Sequence, residues 1–141
     1  MGDVFYVDLV ENEIKEAIVF LWQTNCGGSC DGGGIILHFY KLENGKGKLI
    51  DFLETGSRSG GCFVKNFRVE KKTIFIEQFG KCKKNTNFYS DKAFMCKFCI
   101  SGFTSSVYSI KNSKLFREYV EETDTESKNI NNYLPEISIN E

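Results

Sequence analysis

Apolar and polar residues alternate in short runs along this chain, and Gly, Asn and charged residues separate the runs. Phe5, Val7 and Leu9 alternate, as residues on one face of a half-buried strand do, because successive side chains point to opposite faces. Ile14 to Trp22 fits two periods. Ile14, Ala17, Ile18 and Leu21 would share a helical face, whereas Ile18, Phe20 and Trp22 alternate opposite Ala17, Val19 and Leu21. The β-branched and aromatic content of Ile-Val-Phe-Leu-Trp decides for a mostly buried strand. Strands over about 35–42 and 48–55 then flank Glu43-Asn44-Gly45-Lys46-Gly47. Asn-Gly between two apolar runs specifies a hairpin, since both residues tolerate positive φ.

A second hairpin is expected over about 62–70 and 73–80. A two-residue turn at Lys71-Lys72 places Val69 opposite Ile74 and Phe67 opposite Ile76, which makes one coherent apolar face. After a polar stretch from Lys81 to Lys92, strands follow over about 93–100 and 103–110. Lys111-Asn112 turns into Leu115 to Val120, a segment whose pattern fits a short helix and a strand equally. From Glu121 onward the chain is charged and Asn-rich, apart from Tyr133-Leu134-Pro135, and reads as a loose polar tail. Strands every ~8–12 residues with hairpin turns predict an all-β fold. The expected form is an antiparallel meander closing as a β-sandwich or open barrel, with one domain over residues 1–122 and the tail over 123–141.

Composition narrows the function classes. The chain has 141 residues, with 18 Lys plus Arg against 19 Asp plus Glu, for a net charge of -1. That balance argues against a nucleic-acid partner, which calls for a strongly basic face. Apolar residues make up 41% and aromatic residues 14%, enough for a packed core and too many for a wholly disordered chain. No run approaches the ~18–20 apolar residues of a membrane-spanning helix.

Six cysteines bear on the compartment: Cys26, Cys30, Cys62, Cys82, Cys96 and Cys99. An even number, close in pairs, favours disulfides and an oxidising environment. Cys26 and Cys30 bracket Gly-Gly-Ser, whose glycines permit a bend. Cys62 and Cys82 flank the second hairpin, but its register leaves them one residue out of step, so a bridge there needs a bulge near Gly80. Six cysteines allow fifteen pairings, and spacing does not select one. A zinc site made from CxxxC at 26–30 and CxxC at 96–99 lacks the usual knuckle turns. Redox chemistry at the CxxC lacks the helix N-terminus that lowers a thiol pKa. Met1-Gly2-Asp3-Val4 enters strand alternation at once, without a basic stretch or an apolar signal core. The expected history is a mature periplasmic or extracellular chain whose signal or lipid anchor lies outside this sequence.

Several stretches carry a resemblance. Phe5-Tyr6-Val7-Asp8-Leu9 with Lys15-Glu16-Ala17-Ile18-Val19-Phe20-Leu21 resembles the DLDGDGxxEAVV openings of bacterial exported proteins with FG-GAP-like calcium loops. Glu54-Thr55-Gly56-Ser57-Arg58-Ser59-Gly60-Gly61 resembles a TGDRxxGG element. Ile76-Glu77-Gln78-Phe79-Gly80 and Cys96-Lys97-Phe98-Cys99-Ile100-Ser101-Gly102-Phe103-Thr104 are similar to ELYG and CCPxxFT elements. Over roughly residues 4–118 the chain thus resembles poorly characterised bacterial lipoproteins and periplasmic proteins. The resemblance implies an exported β-domain and assigns no activity. Asp8, Asn12 and Glu16 match calcium-ligand positions, but Val10 replaces an acid, and Glu11 and Glu13 replace the glycines of the tight turn. Too few oxygens remain for a calcium loop, so no metal and no cofactor is expected.

Catalytic chemistry is sparse. His38 is the one histidine and lies within a strand, without a nucleophile-elbow motif nearby. Gly27, Gly28, Ser29 and Asp31 belong to a glycine-rich run that enters a strand rather than a helix. That context suits a recognition loop more than a phosphate cradle. Arg58 in its Gly/Ser loop offers a planar fork for carboxylates. Lys71-Lys72 and Lys81, Lys83, Lys84 read as solvated turns. The acidic run Glu121, Glu122, Asp124 and Glu126 would steer a basic partner. The sequence therefore points to a non-enzymatic exported binding module that contacts a protein or an envelope component. The alternatives are a periplasmic immunity or inhibitor protein that binds a toxin or hydrolase one-to-one, and a hydrolase using His38.

Overall fold

Left-handed residues set the hairpins. The computed structural model describes residues 2–10, 14–23, 34–57, 62–80, 82, 99–100, 102–125, 128–130 and 133–140. Strands β1 (Gly2–Val7), β2 (Glu16–Gln23), β3 (Gly34–Glu43) and β4 (Lys46–Ser57) form one antiparallel meander in the order β1-β2-β3-β4. The β3–β4 turn is Asn44-Gly45, with φ of 50° and 74°. Positive φ at both central positions gives the turn whose twist matches that of the flanking strands.

A second sheet contains β5 (Val64–Glu70), β6 (Thr73–Phe79), β8 (Phe103–Lys111) and β9 (Lys114–Thr123), joined by β11 (Glu136–Asn140). Its order is β11-β5-β6-β8-β9, and the short strands β7 (Cys99–Ile100) and β10 (Lys128–Asn129) pair separately. The register expected around Lys71-Lys72 holds, with Val69 opposite Ile74 and Phe67 opposite Ile76. The ambiguous segment after Asn112 is a strand, entered through Asn112 and Ser113 at φ of 52° and 58°.

The C-terminal segment departs from the expected loose tail. β11 adds to the edge of β5 in parallel, pairing Ile137 with Phe67 and Ile139 with Val69. Ile130 is buried, and the Tyr133 ring meets Phe79 edge-on with centroids 4.9 Å apart. The Tyr133 hydroxyl donates to the Lys65 carbonyl at 2.8 Å. These contacts lock Ile130 and residues 133–140 onto the sheet, where a free tail would leave Ile130, Ile137 and Ile139 wet.

The two sheets pack face to face and do not close into a barrel. Ile18 and Phe20 of β2, with Ile35, Leu37 and Phe39 of β3, face Phe67, Val69, Ile74 and Ile76 in one buried cluster. Phe20 and Phe67 meet edge-to-face at 6.0 Å, a geometry that the ring quadrupoles favour. Truncating either ring to alanine would cost about 3–5 kcal/mol.

Cys62 and Cys82 form a disulfide, with their Cα atoms 5.7 Å apart. The irregularity it needs is at Gly80, as expected: its φ of 94° turns the chain back so that Cys82 meets Cys62. A separate register shift between Val64 and Asn66, where Lys65 is the extra residue on β5, moves Cys62 one place further from Cys82 along the ladder and does not account for the bridge. Gln78 Nε2 donates to the Cys62 carbonyl at 3.0 Å, and the Cys82 amide donates to Thr104 Oγ1 at 3.0 Å. The staple is thus buried within satisfied backbone.

Candidate interaction face

A strand in a sandwich offers one face to the core and one to solvent, so the outward set should be polar. In the four-stranded sheet it is not. Cross-strand register lines up Val4, Val19, His38 and Phe52 in one row over β1, β2, β3 and β4. The next row runs Tyr6, Ala17, Tyr40 and Leu49. Tyr6 is 54% exposed, Val4 and Leu49 48%, Phe52 40% and Leu21 38%. Large apolar side chains this exposed on β1, β2 and β4, with half-buried Ile36, His38 and Tyr40 of β3 between them, mark an interaction surface, whereas scattered ones would not.

His38 sits at the centre of this face. Its ring stacks with Tyr40 and tilts against Phe52, each with centroids 6.2 Å apart. Among the described residues its Nδ1 is buried without a hydrogen-bond partner. Its paired neighbours Val19 and Phe52, and Tyr40 beside it, include no serine, cysteine or carboxylate. The imidazole is therefore set as part of an aromatic surface, with Glu54 diagonal to it on β4.

The outer face of the five-stranded sheet is different in kind. Arg68, Phe75, Val107 and Tyr119 form one row, with Asn66, Glu77 and Ser105 in the next. They line a shallow cavity of about 300 Å³. Its polar groups satisfy one another. Arg68 lies over the Phe75 ring at 4.3 Å, and Glu77 accepts from Asn66 Nδ2 and Ser105 Oγ, each at 3.3 Å.

Among the described strands β9 is the last of that sheet. Phe116, Tyr119 and Val120 stand exposed there among Glu118, Glu121 and Glu122. Tyr119 donates to Glu121 Oε2 at 2.7 Å, which raises the Tyr119 pKa by hydrogen bonding to and facing a carboxylate. Lys111 pairs with Glu118 at 2.8 Å and holds that carboxyl below its ordinary range. Asp124 extends the acidic run and is exposed.

Of the cysteines, the structure brings Cys62 and Cys82 together. Cys99 belongs to β7. Cys26, Cys30, Cys96, Gly27, Gly28, Ser29, Asp31 and Arg58 lie outside the described residues, as do Asn12, Glu126, Lys81, Lys83 and Lys84. Among the described residues no group of three His, Cys, Asp or Glu side chains is placed to hold a metal ion. No helix among them is long and apolar enough to cross a membrane.

Sequence reasoning found His38 but not the face around it. Apolar residues occupy both alternating sets of β2, so periodicity did not say which set is outward. Compared with protein-family models, curated proteins and solved structures, the chain finds no match.

Proposed function

We propose that this chain is a non-enzymatic binding module of the periplasm or the extracellular space, and that the outer face of its four-stranded sheet is what it presents to a protein partner. The observation that carries the reading is the continuous apolar surface from Val4 and Tyr6 across to Leu49 and Phe52. A buried aromatic cluster within a surface of this kind is where binding energy concentrates. The Cys62–Cys82 disulfide is consistent with an oxidising compartment, and the resemblance to exported β-domains points the same way.

The test compares wild type with Phe52→Lys and Leu49→Lys. Both positions are exposed, so both variants should keep the wild-type circular dichroism and melting behaviour. The reading expects a saturable partner from an envelope fraction to lose at least about tenfold in affinity with either lysine. Equal affinity in wild type and both variants would remove the face from the account.

An inhibitor that binds a basic toxin or hydrolase is favoured by a separate observation, the exposed aromatic and acidic edge of β9. Electrostatic steering there would appear as a salt-dependent association rate. Glu121→Lys with Glu122→Lys would slow association with such a partner and leave binding through the sheet face unchanged.

A further inference from the structure

Glu16 is a carboxylate in an apolar place. It opens β2 beside Ala17 and Ile18, and only 3% of its surface is exposed. Among the described residues neither side-chain oxygen has a hydrogen-bond partner. An ionised carboxylate so placed is expensive unless a counter-charge reaches it.

Glu16 lines a cleft of about 160 Å³ at the end of the sandwich where the β3–β4 hairpin approaches the β8–β9 turn. Val10, Ile14, Leu42, Ile50 and Ile110 supply its other walls, and Asn112 and Ser113 stand at the β8–β9 turn. For scale, an apolar cavity of ~150 Å³ holds a benzene molecule. Lys41 also borders the cleft, but its Nζ is paired with Glu43 Oε1 at 3.0 Å.

We propose that this cleft binds a primary alkylammonium group, with the Glu16 carboxylate as counter-charge and the apolar walls enclosing the methylenes. Two features select this chemistry. Asp8 lies near enough to act on Glu16, and its negative charge favours a cation beside it. Burial and then Asp8 raise the Glu16 pKa, partly offset by the amides of Leu9 and Val10, and a bound ammonium would favour the ionised carboxylate again. Val10, Ile14, Leu42, Ile50 and Ile110 are aliphatic, which suits an alkyl stem, with Asn112 and Ser113 polar at the turn. An ammonium needs one carboxylate and a dry stem, the way lysine itself partitions its chain and head. The site is separate from the apolar sheet face, so either can fail without the other.

The group has two sources, a lysine side chain of a partner or a free amine, and the probes distinguish them. The full chain, labelled with nitrogen-15, is titrated with n-butylammonium, with capped lysine (Nα-acetyl-lysine N-methylamide) and with neutral n-butanol. Saturable shifts are expected at the amides of Glu16, Ile50 and Ile110, with a dissociation constant on the order of millimolar for so small a ligand. Butanol should give no saturable shift. A response to both ammonium probes assigns a site that a protein lysine can reach, and a response to butylammonium alone assigns a free-amine site. Glu16→Gln keeps the shape and should weaken binding at least tenfold, to about the level of butanol. Ile14→Trp, at an exposed rim position, should block binding with the carboxylate intact, so the proposal stays testable if Glu16→Gln folds poorly. No saturable response to either ammonium, or an equal response in Glu16→Gln, would overturn it.

Discussion

Asp51 of β4 accepts a hydrogen bond from the backbone amide of Leu115 in β9, at 2.9 Å from Oδ2, and so ties one sheet to the other. The bond owes its existence to a bulge. Phe39 pairs with Asp51 but Tyr40 pairs with Leu49, which makes Ile50 the extra residue on β4. A bulge re-aims side chains, and here a carboxylate comes to serve two strands, since Asp51 Oδ1 also accepts from the Phe52 amide at 2.9 Å. Asp51→Ala leaves the part-buried Leu115 amide without this acceptor and should cost about 1–3 kcal/mol. Asp51→Asn keeps an acceptor and should restore most of that loss. Urea midpoints of the three proteins check this, and an Asp51→Ala midpoint equal to wild type would sink it.

The Cys62–Cys82 bond closes a loop with a sequence separation of 20. Loop-closure entropy for that length predicts that the double replacement by alanine destabilises by about 3 kcal/mol. Arg117 bears on the same corner, because its Nη2 donates to the Cys82 carbonyl at 3.1 Å and to Ser106 Oγ at 2.7 Å. Arg117→Ala in the reduced protein should therefore cost less than in the oxidised one if the staple is what positions Cys82. A double-mutant cycle with and without reductant measures that coupling, and purely additive costs would argue against it.

Gly102 and Gly45 separate two reasons for glycine. Both have φ of +74°, but a Cβ on Gly102 would lie 2.8 Å from the Thr123 carbonyl oxygen, while at Gly45 nothing stands within 4 Å. Gly102 also accepts from the Gly80 amide and donates to Thr125 Oγ1, both at 3.0 Å. Gly45→Asn should shift stability by a few tenths of a kcal/mol, since Asn tolerates this region. Gly102→Ala should cost more than the ~1–3 kcal/mol of strained backbone alone, because the clash adds to it. Comparable melting temperatures for the two variants would contradict the distinction.

What the sequence made legible was local. Asn44-Gly45 and Lys71-Lys72 specify their hairpins within a few residues, and the predicted pairings of Phe67 and Val69 hold. β11 was illegible because its only apolar residues are Ile137 and Ile139, and its partner β5 lies about seventy positions earlier in parallel. No turn signal encodes a pairing at that distance. Glu16 stands out in the sequence as a match to a calcium-ligand position, whereas its burial depends on how the β3–β4 and β8–β9 ends meet. His38 is legible as a strand residue, while the apolar rows around it depend on the register of four strands together.

Glu16 also gives a pH dependence whose sign can be worked out. Burial is the main cause that raises its pKa above the ordinary 4.5, and Asp8 adds to it. The backbone amides of Leu9, Val10 and Glu16 itself offset part of the rise, although among the described residues no hydrogen bond to the carboxylate forms. The folded protein thus holds this proton more tightly than the unfolded chain does. Where the native state binds more protons, stability falls as pH rises. The contribution is fully present below about pH 4.5 and is lost as pH climbs through the folded-state value. Glu16→Gln has no proton to lose there, so it should be more stable than wild type at pH 7–8, with the gap closing below about pH 4.5. Urea midpoints of both proteins from pH 4 to 8 test this. A gap that widens toward acid would mean that the native state holds Glu16 ionised and paired, and would reverse the sign of its contribution.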